Sequence, residues 1–117
     1  MTEPKGAVLF RRNEPAFGIF LVRTGSVSLR LESGEGKSTL DRTAEAGSIV
    51  GLPGTLTGGR YSLTAVTLEE SDLGFVDRDS LIGLIQSDPA VGLEIMRALG
   101  EEVLQMRAIL ASDPTKV

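Results

Sequence analysis

At Asp77 the spacing of apolar residues along this chain changes its period. Before it, short apolar or alternating runs are separated by turn residues. Ser26 to Leu31 places Val27, Leu29 and Leu31 on one face and Ser26, Ser28 and Arg30 on the other, the period-2 pattern of a half-buried strand. After it, apolar residues recur every three or four positions, the period of a helix. The first three quarters of the chain therefore read as strands and the last quarter as helix.

Seven short strands are expected before Asp77. They are Ala7 to Phe10, Gly18 to Arg23 after the turn residues Asn13, Glu14 and Pro15, Ser26 to Leu31 after Thr24-Gly25, Ser38 to Thr43, Ser48 to Val50, Ser62 to Thr67 and Leu73 to Val76. The run Ser38 to Thr43 is thin in apolar residues, and its Asp41 and Arg42 suit an edge exposed to water. Strands spaced in this way by turn signals predict a closed or double-sheet, mainly β body such as a jelly roll. Within the turn Ser33 to Lys37, Gly36-Lys37-Ser38 imitates the end of a phosphate-binding P-loop. That pattern needs a glycine where Leu31 stands and a helix where a strand follows, so the segment reads as a hairpin turn.

Two helices follow. Asp77 can accept the free N–H groups of a first turn over about 78–86, which puts Leu81, Leu84 and Ile85 on one face. Asp88-Pro89 starts a longer helix over about 89–111, with aspartate as cap and proline at a position that needs no donor. Met96, Leu99, Val103, Met106 and Leu110 are spaced 3, 4, 3 and 4 apart, a heptad seam. Val91, Ile95, Ala98 and Ile109 widen the apolar arc beyond the roughly 100° that one contact surface needs. Packing on the chain's own sheet is the simpler use of such a seam, and a parallel helix-to-helix homodimer is the use that covers the wider arc. The whole is read as one domain over 1–117, with the β-roll at about 6–77.

Composition removes several kinds of chemistry. With no cysteine and no histidine, disulfides, iron–sulfur clusters, imidazole metal sites and histidine-based catalytic triads cannot be assembled. Twelve basic residues against sixteen acidic ones give a net charge of -4, which opposes a polyanion, so no direct nucleic-acid partner is expected. No apolar run approaches the roughly 18 residues of a membrane span, and the start MTEPKGAVLF lacks the apolar core of a signal peptide. A cytoplasmic, membrane-free domain is expected. Glu69, Glu70 and Asp72 read as a solvated turn.

The stretch Gly47 to Thr67, GSIVGLPGTLTGGRYSLTAVT, contains five glycines and a proline, far more than a hairpin requires. Glycine at that density lets the backbone take positive φ and approach another segment or a phosphate closely.

The run LFRRNEPAFGIFLVRTGSVSL resembles the opening strands of cyclic-nucleotide-binding domains of the Crp-Fnr regulators, in which an apolar strand, Gly25, one residue and Val27 recur in this order. The Gly47 to Leu81 segment is similar to their central part, and Asp88-Pro89 with the long helix to their dimerisation helix. The resemblance spans about Gly6 to Leu110. It implies a double-stranded β-helix, the cupin-like jelly roll, with flanking helices and a long C-terminal dimerisation helix. No helix-turn-helix is expected, since only Ser112 to Val117 follow the helix.

The family's site carries over residue by residue. Its cassette opens on a glycine and a glutamate that holds the ribose; Gly51 matches the glycine, and Leu52 stands at the glutamate position. The arginine that pairs with the cyclic phosphate falls on Tyr61, with Arg60 one residue early, an offset that points a strand side chain to the opposite face. The candidate pocket comprises Gly51, Leu52, Pro53, Gly54, Thr55, Arg60, Tyr61 and Ser62, with Met106 and Arg107 at the base-contacting positions of the long helix. The dimer interface implied is Met96, Leu99, Val103, Met106 and Leu110.

Three readings stand at this stage. One is a regulatory sensor with a degenerate cassette, which takes no certain cofactor and has a cyclic nucleotide or another small anionic effector as its ligand class. The second is a structural interaction module in which Gly51 to Arg60 is a tight turn over an interior of Leu52, Leu56, Leu63 and Val66. The third is a true cyclic nucleotide binder using Arg60. An enzyme is not expected, because the related cupin-like barrels usually hold a metal on histidines.

Overall fold

The computed structural model describes residues 1–32 and 38–111, and among them the side chains of residues 1–31 and 41–100. Its elements are β1 (Thr2–Glu3), β2 (Val8–Phe10), β3 (Gly18–Thr24), β4 (Ser26–Glu32), β5 (Ser38–Glu45), β6 (Ile49–Val50), α1 (Leu52–Thr57), β7 (Thr64–Thr67), β8 (Ser71–Asp77), α2 (Arg78–Ser87) and α3 (Pro89–Ala111). The strands form two antiparallel four-stranded sheets, in the orders β1-β8-β3-β6 and β2-β7-β4-β5. This is the mainly β jelly roll with flanking helices that the spaced strand runs and the resemblance imply. The chain divides into two compact units, one over Met1–Leu81 and one from Ile82 onward.

In the first unit both sheets supply the core. Val22, Val50 and Leu73 come from one, and Val27, Leu29 and Ala65 from the other, all buried. At about 25 cal/mol per Å² of apolar surface, removing such side chains from water is the main force holding the two sheets together. The strand β5 lies at a sheet edge, where its charged residues place it. The SGEGK turn between β4 and β5 lies outside the described residues, and the strands it joins pair from Ser26↔Glu45 to Glu32↔Ser38.

Four local features differ from the sequence-based expectation. The serine face of β4 is not open to water: Ser28 is fully buried, its hydroxyl donating to Asp41 Oδ1 at 2.7 Å while Arg30 Nε donates to Ser28 Oγ at 2.9 Å. The Asp41 and Arg30 side chains close over Ser28, and a hydroxyl tolerates such burial because it is hydrogen-bonded. The two-residue β1 has no signal in the sequence, because nothing but its pairing with β8 (Thr2↔Asp72, Glu3↔Ser71) marks it. The Gly51 to Arg60 segment is not a tight turn but contains a helix, α1. Asp72 belongs to β8 rather than to a turn; Glu69 and Glu70 are exposed, and Glu69 accepts a hydrogen bond from Ser26 Oγ at 2.8 Å.

Gly25, between β3 and β4, has φ +94°, and a Cβ there would collide with the Ser71 side chain. Only glycine meets both conditions. The Ser71 hydroxyl in turn accepts from Ser26 N at 3.2 Å, tying the turn to β8.

Both helices start where their caps predict. Asp77 accepts from Ser80 N at 3.2 Å and from Ser80 Oγ at 2.6 Å, and Asp88 Oδ1 accepts from Ala90 N at 3.0 Å. On α2, Leu81 is buried and Ile85 half-buried, whereas Leu84 is exposed, so the expected apolar face is covered only in part. Along α3, Met96 is exposed and Leu99 half-buried. The side chains of Val103, Met106, Arg107 and Leu110 lie outside the described residues.

Candidate functional site

The glycine-rich segment is a short helix held between two turns. β6 ends at Val50, and Gly51 then takes φ 87° and ψ 12°, a left-handed conformation that turns the chain into α1. Pro53 occupies the first turn, where a missing N–H costs nothing, and Gly58 at φ 71° closes the helix with its N–H on the carbonyls of Gly54 and Thr55. Arg78 Nε donates to the Thr55 carbonyl at 2.9 Å, so a cation sits at the C-terminal end of the helix, where the dipole favours it.

Helix α1 is fastened to β3 through one carbonyl. The Gly18 oxygen accepts from Tyr61 OH at 2.6 Å and lies 2.9 Å from Thr55 Oγ1, which is itself 2.7 Å from the Gly51 carbonyl. Two lone pairs on Gly18 O serve both hydroxyls. Thr55 and Leu52 are fully buried, and Tyr61 is 1% exposed. The Tyr61 ring stacks on Phe10 with centroids 3.8 Å apart. Burial pushes the phenol pKa of Tyr61 above its ordinary 10.0, outweighing the hydrogen bonds that lower it. A Cβ on Gly51 would stand 2.9 Å from Tyr61 Cε1, so the glycine is required for the ring to lie where it does.

Arg60 and Tyr61 point in opposite directions, as the offset of one residue implies. Arg60 is exposed and donates from Nη1 to the Asn13 carbonyl at 2.7 Å, next to its bridge with Pro15. Asn13 holds φ 73°, a turn conformation that asparagine tolerates well. Ser62 is exposed, Leu63 buried, and Leu56 and Val66 half-buried. Gly51, Leu52, Pro53, Gly54, Thr55 and Tyr61 thus come together around α1, while Arg60 and Ser62 face water. Met106 and Arg107 fall outside the described side chains.

Apart from Arg78 at the C-terminal end of α1, the arrangement carries no charge. Leu52 and Tyr61 bring no charge, and among the described residues no buried side-chain nitrogen or oxygen lacks a hydrogen-bond partner. Nor is any group of three or more carboxylates among them placed to hold a metal ion. Two participants had no sequence signal: the Gly18 carbonyl, a backbone group that no side chain announces, and Phe10, which reads only as an apolar strand residue. The proline near the start of α1 was a signal for the helix.

Residues 2–88 match the family model described as cyclic nucleotide-binding domain. The transcriptional regulatory protein btr of Bordetella pertussis is 25% identical over 108 residues, covering 92% of this chain and 44% of that protein. In structure, the chain is similar to the Thermus thermophilus catabolite activator protein, with TM-score 0.84 and 22% identity over 95% of this chain and 52% of that one. It is similar also to the c-di-GMP responsive global regulator CLP of Xanthomonas campestris, with TM-score 0.79 and 21% identity over 93% of this chain and 54% of that one. The chain spans less than half the length of the curated relative it matches.

Proposed function

The chain belongs to the cyclic nucleotide-binding domain family, in the form found in Crp-Fnr regulators, and from that premise we propose that it is a regulatory sensing module whose phosphate cassette no longer takes cyclic AMP or cyclic GMP in the usual way. The observation that carries this is the state of Tyr61. At the position that the resemblance assigns to the phosphate-binding arginine, a neutral ring is 1% exposed, stacked on Phe10 and hydrogen-bonded to Gly18. Leu52, at the ribose-binding position, is fully buried. Charge-assisted hydrogen bonds contribute about 1.5 to 3 kcal/mol each. Losing both contacts removes roughly 3 to 6 kcal/mol, or about 10² to 10⁴ in affinity. A regulator of this fold that is described as c-di-GMP responsive is in keeping with a changed effector.

Calorimetry with cyclic AMP and cyclic GMP tests the proposal: binding no tighter than about millimolar is expected. Micromolar binding of either that Arg60→Ala abolishes would instead establish the reading in which Arg60 serves the phosphate.

The same module acts as a homodimer through α3. Exposed Met96, on the heptad seam, supports this, being 68% exposed in the single chain. Light scattering should give twice the mass of the 12.4 kDa chain, and Met96→Glu should halve it. A wild-type protein of single-chain mass would remove the dimer from the proposal.

A further inference from the structure

An open apolar groove of about 300 Å³ in the first unit is lined by Met1, Glu3, Val8, Leu9, Phe17, Phe20 and Phe75. Phe17 is 58% exposed, Val8 43% and Phe75 37%, a cost in water that an occupant would relieve. The Phe17 and Phe75 rings lie 5.8 Å apart between centroids, and Phe20 and Phe75 5.1 Å, with planes inclined by 51° and 55°. Tilted rings of this kind turn both faces and edges toward the space between them. The volume is at the small end for ligand sites, enough for one or two rings.

Among the described residues that line the groove, Glu3 is the one with a charged side chain. The cation nearest to it in the lining, the amino group of Met1, is already engaged by Asp72 at 3.5 Å and by the Leu73 carbonyl at 2.8 Å. The faces of the phenylalanine rings are electron-rich and attract cations. Carboxylate and ring faces therefore select the same sign of charge and disfavour a phosphate.

We propose that this groove is a binding site for a small ring-bearing organic ammonium ion, separate from the cassette around α1. Its ring packs among Phe17, Phe20 and Phe75, and its ammonium faces Glu3. The site is wired to Tyr61. The chain has four phenylalanines, one tyrosine and no tryptophan, and those five rings form a closed circuit of contacts running Phe10, Phe20, Phe75, Phe17, Tyr61 and back to Phe10. An occupant that touches Phe17 is therefore one ring away from Tyr61, whose fluorescence is free of any tryptophan signal.

The test is a titration of the full chain with three probes of one shape: 3-phenylpropylammonium, 3-phenylpropanol and 3-phenylpropanoate. Methyl shifts of Val8 and Leu9 report occupancy, and Tyr61 fluorescence reports the linkage. The ammonium should saturate the site and bind at least roughly tenfold tighter than the carboxylate, with the alcohol between them. Glu3→Gln should remove the advantage of the ammonium over the alcohol, and Phe17→Ala, at an exposed position that a truncation does not unfold, should weaken all binding roughly tenfold or more. Equal affinity for the three probes, no saturation by any, or a preference unchanged in Glu3→Gln would overturn the proposal. So would a Phe17-dependent rise in mass that shuts the probes out, which would make a second copy of the chain the occupant. Failure here leaves the cassette reading intact, since none of the probes carries a phosphate.

Discussion

Tyr61 lies against Phe10 with ring planes 13° apart, and its hydroxyl ends on the Gly18 carbonyl 2.6 Å away. The pair joins a residue just after α1 to β2 of one sheet, while the hydrogen bond reaches β3 of the other. One side chain thus links the two sheets beside α1, and its two attachments can be separated by mutation. Tyr61→Phe keeps the stack and loses the hydrogen bond, leaving Gly18 O to Thr55, so a loss of about 0.5 to 1.5 kcal/mol is expected. Tyr61→Ala also opens a cavity and should cost about 3 to 5 kcal/mol. Urea denaturation of the two variants measures both; equal losses would mean the stack contributes nothing.

The same residue sets an alkaline limit. Its pKa is raised, so the folded state favours the neutral phenol over the phenolate. That contribution is complete below the unfolded value of about 10 and is lost as pH rises through the folded one. Absorbance of the phenolate at roughly 295 nm comes from this tyrosine alone, the chain having no other. It should appear later than in a model peptide and together with the loss of far-ultraviolet ellipticity.

Gly51→Ala combines two penalties. The new side chain must hold φ 87° and would stand 2.9 Å from Tyr61 Cε1. A loss of roughly 1 to 3 kcal/mol is expected from the backbone alone. Because Tyr61→Ala removes the clash, the double variant should be more stable than the sum of the two single losses predicts. Strict additivity would show that the two residues do not press on each other.

Asp77 at the head of α2 gives an acid-side signal. Hydrogen bonds from the Ser80 hydroxyl and then the Ser80 amide lower its pKa below the ordinary 3.8. A lowered carboxylate stabilises the fold above the unfolded pKa and ceases to do so as pH falls through the folded value. Asp77→Ala should therefore melt below the wild type at neutral pH, with the gap closing toward pH of about 2. A gap that stays constant with pH would show that the cap is not ionic.

Particular residues mark how far the sequence reached. The alternation of Val27 and Leu29 with serines, the caps at Asp77 and Asp88, and the edge charges Asp41 and Arg42 are local signals, and the elements they announce are present. The fold class was legible because period and punctuation are properties of neighbouring residues. Helix α1 was announced only by Pro53 in its first turn; six residues containing Gly54 are too few to be stable alone, and contacts from Gly18 and Arg78 hold them. The burial of Ser28 was equally hidden, because it depends on Asp41 and Arg30 closing over the strand.

At the candidate site the division is the same. By itself the sequence determined that Leu52 and Tyr61 are uncharged and that Arg60 and Tyr61, as neighbours, point opposite ways; the match of Leu52 and Tyr61 to cassette positions is what the resemblance implies. Tertiary structure alone decided that Tyr61 turns inward to stack on Phe10 and bond to Gly18 while Arg60 turns outward to Asn13. It alone closed the five aromatic residues into a circuit beside Glu3. The physical reason is range: propensity and periodicity act over a few residues, whereas the Arg60–Asn13 and Tyr61–Gly18 contacts join positions more than 40 apart and exist only in the folded chain.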